Sequence, residues 1–201
     1  MNDDLDDIFE ESEGGTDLSE EEKEGLIPSY ISTRGELNQA EQQNIVKGEL
    51  WAFAKKRNPL DVAFLKDLHK KMYGEVWEWA GSYRRTSRNI GVDAYRIPTD
   101  LEQLVDDTKY QIAHATYPLD ELAARFHHRL VFIHPFPNGN GRHSRLATDI
   151  LLHFVNQERF TWGAGDITKK GEVRTLYIRA LQAADNHDID PLIEFVKSKI
   201  R

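Results

Sequence analysis

Two strongly periodic apolar stretches, Leu119 to Ile133 and Arg142 to Gln157, meet at His134-Pro135-Phe136-Pro137-Asn138-Gly139-Asn140-Gly141, and this junction constrains the chain more than any other feature. Leu146, Ile150, Leu151, Phe154 and Val155 recur at helical spacing, so the glycines open a helix. Glycine reaches positive φ without steric cost and lets the main chain approach a ligand closely, so Gly139-Asn140-Gly141 forms a nest of backbone N–H groups suited to anions. The positive end of the helix dipole adds to that preference. Arg142 and Arg145 lie three apart, on one face of the first turn, where both guanidiniums can make charge-assisted bonds to phosphate oxygens. Two cations there oppose the dipole unless an anion neutralises them. The competing reading is a polar helix entry with solvated arginines, in which His134 only terminates the preceding helix.

Composition bounds the rest. The 201 residues contain no cysteine, no secretory signal and no apolar run long enough to span a bilayer, which predicts a cytoplasmic protein in which disulfides play no part. Four Trp, nine Phe and seven Tyr suffice for one sizeable core. The net charge of −8 is concentrated: residues 1–24 hold twelve Asp/Glu against one Lys, leaving 25 Lys/Arg against 22 Asp/Glu elsewhere. The expected organisation is an acidic tail over 1–26, disordered or acting as an interaction arm, an N-terminal segment over 27–48 and a helical domain over 49–201. The nearly neutral body carries no concentrated basic stripe, which argues against direct DNA binding.

Apolar periodicity predicts helices over Gln39–Arg57, Asp61–Tyr73, Asp100–Ala115, Leu119–Ile133, Arg142–Gln157, Lys170–Asn186 and Pro191–Lys199, the last with Asp190 as N-cap. The chain is therefore mainly α. Ser82 to Pro98 departs from this pattern: Tyr83, Ile90, Val92, Tyr95 and Ile97 are interrupted by Asn89, Gly91 and Asp93, which suits a β-hairpin whose exposed edge could accept an extended peptide. A stabilising loop cover is the alternative. A histidine-ligated metal cage is not expected, since no paired His/Cys spacing of the zinc type occurs.

The string His134 to Arg145 resembles the signature of the Fic family, His-Pro-Phe-x-(Asp/Glu)-Gly-Asn-Gly-Arg-x-x-Arg, and departs from it at one position. The resemblance implies a Fic-type helical bundle with a small β-hairpin flap. It also implies AMP transfer from ATP to a Ser, Thr or Tyr hydroxyl of a target protein, with diphosphate leaving. On that basis His134 is the general base and Phe136 anchors the loop. Gly139, Asn140 and Gly141 form the anion hole, while Arg142 and Arg145 hold the β and γ phosphates. Tyr83, Asn89, Ile90 and Gly91 resemble the flap that registers the target. A neutral imidazole is well suited to take a proton from an attacking hydroxyl, and most of the barrier reduction must come from in-line positioning and donors to the developing charge.

Asn138 is the departure, standing where the family's Asp or Glu coordinates Mg²⁺. An amide supplies one neutral oxygen, so weaker Mg²⁺ binding is expected, with Mn²⁺ as an alternative ion. Slow adenylylation, an altered nucleotide or metal preference, transfer of a different phosphate-containing group, and a nucleotide-sensing or partner-binding module all follow from it. Ser32-Thr33-Arg34-Gly35-Glu36 also partly resembles the family's inhibitory motif, whose glutamate pairs with the second signature arginine, although Leu37 replaces the final small residue. The same residues fit a capping box with Thr33 as N-cap and Glu36 three residues on. Within the family, Ser32 to Asn38 and Trp77-Glu78-Trp79-Ala80-Gly81 resemble the mobile mystery protein B branch. That likeness implies a toxin-like gene pair with a small helix-turn-helix partner.

Overall fold

The computed structural model describes residues 19–87, 90–165, 167 and 171–199, and among them it contains eight α-helices: α1 (Glu20–Glu24), α2 (Arg34–Phe53), α3 (Val62–Tyr73), α4 (Ile97–Ala113), α5 (Leu119–Ile133), α6 (Asn140–Phe154), α7 (Glu172–Asp185) and α8 (Asp190–Lys197). α3, α5 and the apolar run of α6 fall where periodicity placed them. α2 begins earlier than expected because Thr33 caps it: its side chain accepts the Glu36 N–H while the Glu36 carboxylate accepts the Thr33 N–H. α8 starts one residue early, with Ile189 as the N-cap and Asp190 inside the first turn.

α2 packs on α3, α4 on α5, α5 on α6 and α7 on α8, while α3 closes against α6. The main core lies between these layers. α3 contributes Leu65, Leu68 and Met72 from one face, α5 contributes Leu122, Phe126, Leu130 and Ile133, and α6 contributes Leu146, Ile150 and Leu151. A second cluster, built from Ile167, Tyr177, Ala180, Ala184, Leu192, Phe195 and Val196, joins α7 and α8. Trp162 links the two clusters, since its ring lies 4.6 Å from that of His127 on α5. No described helix is long and apolar enough to cross a membrane.

Two expectations change. Of the acidic tail, residues 1–18 lie outside the described residues, but its end is folded: Ser19 caps α1, Trp79 Nε1 donates to the Glu22 carbonyl at 3.0 Å, and Leu26 bridges to Trp77. The expected hairpin over Ser82 to Pro98 forms no paired strands among its described residues, and its last part is helical, with a 3-10 turn at Ala94–Arg96 leading into α4 and Pro98 in the first turn. Arg84 N–H donates to the Pro135 carbonyl at 3.0 Å and Val92 N–H to the Ile133 carbonyl at 3.4 Å, so the segment is laced to the end of α5.

Candidate active site

α5 ends at His134, which adopts left-handed backbone angles (φ 53, ψ 61) and donates its N–H to the Leu130 carbonyl at 3.3 Å. This conformation is uncommon for a non-glycine residue, and here it turns the chain from α5 into the loop. The loop is closed by Asn140, whose side chain grips both backbone polar groups of one residue: Phe136 N–H donates to Oδ1 at 2.9 Å and Nδ2 donates to the Phe136 carbonyl at 2.8 Å. Phe136 is fully buried, stacked on His69 with ring centroids 3.8 Å apart and edge-on to His143 at 5.0 Å. Gly139 (φ 78) then caps α6, and a Cβ there would meet the Tyr73 ring at 2.5 Å.

His69 holds the loop from below. Gly81 N–H donates to its Nδ1 at 3.0 Å, so the remaining proton sits on Nε2 and is donated to the Asn138 carbonyl, also at 3.0 Å. Burial, the neighbouring His143 and Arg142 push its pKa well below the usual histidine range, against the opposing pull of the Asn138 bond. The ring is thus a fixed neutral strut. His143, buried behind Phe136, donates Nε2–H to the Leu65 carbonyl at 2.9 Å, and burial lowers its pKa to about 4.

The two arginines of α6 diverge. Arg142 forms an ion pair with Glu41 of α2 at 2.6 Å and lies 5.2 Å from the Tyr73 ring centre; the other Glu41 oxygen accepts Trp77 Nε1–H at 2.9 Å. Arg145 lies over Tyr177 of α7, 5.7 Å from the ring centre. The Tyr177 phenol meets His127 Nε2 at 2.9 Å. Burial and then Arg145 lower the His127 pKa to about 3, so the ring is neutral: Nε2 accepts the phenolic proton while Nδ1 faces the Thr148 hydroxyl at 3.5 Å, which itself donates to the Ser144 carbonyl. In contrast to Gly139, a Cβ on Gly141 would meet nothing closer than Arg145 Nη1 at 3.6 Å, so protein packing does not demand glycine there. The first turn of α6 therefore offers N–H groups without intrahelical acceptors and an unobstructed glycine, with one guanidinium on the α2 side and one on the α7 side.

Of the residues singled out in the sequence, His134, Phe136, Asn138, Gly139, Asn140, Gly141, Arg142 and Arg145 converge on this loop. Gly91 (φ 90) joins them, since a Cβ there would meet His134 Cβ at 2.6 Å. Tyr83 is half-buried, its ring 6.3 Å from Phe136, and Ile90 is exposed, while Asn89 lies outside the described residues. Ser32 and Glu36 are both exposed, and the Glu36 carboxylate accepts the Ser32 N–H, the Ser32 hydroxyl and the Thr33 N–H, at 2.8, 3.1 and 3.0 Å. The glutamate that reaches a signature arginine is Glu41, five residues further along α2. Neither it nor His69 is marked by a motif; the local cue for His69 is that it interrupts the apolar face of Leu65, Leu68 and Met72, whereas Glu41 shares its buried face with Asn44 and has no such cue. Asn138 Oδ1 accepts the N–H of Gly139, and no described group of three or more His, Cys, Asp or Glu side chains could hold a metal ion. The donor set does not fit a resident Mg²⁺ or Mn²⁺.

A histidine at a helix end, a pinned loop and an arginine-bearing helix entry make this end of the helical bundle the candidate site. Residues 59–152 match the model of the Fic/DOC family, and this chain contains a Fic/DOC family domain. A protein adenylyltransferase Fic of Culex quinquefasciatus is 32% identical over 146 residues, covering 69% of this chain and 28% of the relative. The matched region thus spans less than a third of that relative's length. Among solved structures, the fold resembles the N-terminal Fic domain of a cell filamentation protein from Bartonella quintana (TM-score 0.69, 14% identity, covering 87% of this chain and 90% of the other). It also resembles BepC of Bartonella tribocorum with bound AMPPNP (TM-score 0.66, 21% identity, covering 89% and 98%).

Proposed function

We propose that this protein transfers AMP from ATP to a Ser, Thr or Tyr hydroxyl of a target protein. The observation that carries the reading is the contrast within one loop: every element that orients His134 and Phe136 is fixed, while Gly141 and the first turn of α6 stay open beside Arg145. Such preorganised donors cost no reorganisation when charge develops at phosphorus. The target oxygen attacks the α phosphorus as the His134 imidazole takes its proton, and the bond to diphosphate breaks. Arg142 and Arg145 receive the β and γ phosphates. Metal, where used, arrives on the triphosphate itself, because Asn138 offers only an amide oxygen already bonded to Gly139.

A second reading is motivated by Asn138 and by the Glu41–Arg142 pair, which occupies a phosphate-binding guanidinium: the site binds nucleotide as a sensor or partner-docking module and turns over slowly or not at all. A toxin-like role beside a small helix-turn-helix protein in the cytoplasm belongs to the first reading and rests on the Ser32 to Asn38 and Trp77 to Gly81 stretches. Label transfer to host-lysate proteins separates the readings. Label from the α phosphate, absent from the γ phosphate and abolished in His134→Ala, is the expected result. No transfer from either position, also with Asn138→Asp, favours the binding module.

A further inference from the structure

Arg84 is one of the largest fully buried side chains in the protein, 2% exposed, and lies in the segment that passes over the loop. Its guanidinium donates to four backbone carbonyls. Nε reaches the carbonyl of His134 at 2.6 Å and Nη1 that of Thr86 at 2.8 Å, while Nη2 is shared between Val92 and Ile133, the latter at 3.4 Å. Two of these acceptors belong to the end of α5, where helical carbonyls lack intrahelical donors and the dipole is negative, so a cation is doubly favoured. The other two belong to the segment itself.

The His134 contact matters most. A left-handed residue is held by its surroundings, and its ψ sets both the direction of the chain into Pro135 and the plane of the carbonyl that Arg84 grips. Gly91 presses on the same point, since a Cβ there would meet His134 Cβ, Arg84 Nη2 and the Ile133 carbonyl, all within 3.2 Å. The planar fork spans acceptors on two elements at once, which the single ammonium of lysine cannot do.

We propose that Arg84 is a positioning residue for His134: by fixing the peptide that follows the histidine, it aims the imidazole and couples the overlying segment to it. This rests on the transferase reading above. The anion-binding face is held separately, by Asn140, His69 and Tyr73, so losing Arg84 should misplace the base and spare nucleotide binding.

The test compares wild type with Arg84→Lys and Arg84→Ala for turnover, for affinity toward a non-hydrolysable ATP analogue and for thermal unfolding. Turnover is expected to fall about a hundredfold, the cost of displacing a reacting group by around an ångström, while analogue affinity changes less than about twofold. Millimolar ethylguanidinium should restore part of the Arg84→Ala rate, and ethylammonium at equal ionic strength should not. Unchanged turnover overturns the proposal, as does parallel loss of turnover, affinity and folding, or a deficit that ethylguanidinium leaves untouched. If wild type binds the analogue but never turns over, the transferase reading fails, and the positioning role is read from the His134 ring resonances: a shift in Arg84→Lys supports it, and coincident spectra refute it.

Discussion

Arg142 and Arg145 sit three residues apart on α6 and meet different surroundings. Arg142 faces the N-terminal side of the molecule and is matched by the carboxylate of Glu41, which is 6% exposed and tied to Trp77. Arg145 faces the C-terminal side and meets the Tyr177 phenol and the neutral His127. One guanidinium is neutralised before any substrate arrives; the other is oriented by uncharged groups and keeps its full charge for an anion. Helical spacing makes the pair look equivalent, and the packing of α2 and α7 separates them.

Acid should disturb both sides most strongly. His127 and His143 have folded pKa values of about 3 and about 4, and that of His69 is also well lowered, all chiefly by burial. The unfolded chain takes up protons near pH 6.5 that the folded chain refuses. Stability is therefore complete above that pH and is lost as pH falls toward 4, by ~1.4 kcal/mol per pH unit for each histidine. Thermal unfolding between pH 7 and 5 measures this, and a flat melting temperature would mean that these rings are reached by solvent.

The arginines should then respond differently to the same substitution. Arg145→Met is expected to weaken ATP-analogue binding by roughly 10- to 100-fold, the worth of a hydrogen bond to a charged group, with little change in unfolding. Arg142→Met leaves a buried carboxylate without its cation and should cost ~2–3 kcal/mol, a drop of roughly 5–10 °C in melting temperature. Calorimetric titration and thermal melts that give matching profiles for the two variants would break the comparison. Glu41→Gln retains an acceptor for Trp77 while removing the competing charge, so analogue affinity should rise about fivefold, an effect of the size expected for one partly exposed ion pair. Tyr177→Phe keeps the ring beneath Arg145 and removes the phenol's bond to His127; the expected loss of analogue affinity is about two- to threefold, and it should vanish in an Arg145→Met background, where double-mutant coupling reads it directly.

The sequence by itself determined what depends on near neighbours. The apolar periods of α3, α5 and α6, the Thr33–Glu36 capping box and the glycine entry to α6 involve residues within a turn or two of each other, so their patterns are legible along the chain. The segment from Ser82 to Pro98 alternates apolar residues as a strand pair would, yet among its described residues Arg84 and Val92 give their N–H groups to the end of α5 and its loop, a pairing that no local pattern announces. Tertiary structure alone decided that Glu41 meets Arg142, 101 positions away, and that His69 supports Asn138 across 69. It also decided that the buried guanidinium of Arg84 grips His134, 50 positions on. These contacts pair groups that carry no mutual local pattern. Their meeting follows from which helix faces the core buries together, and burial then makes each of them specific, because a polar group removed from water must find its partner in the fold.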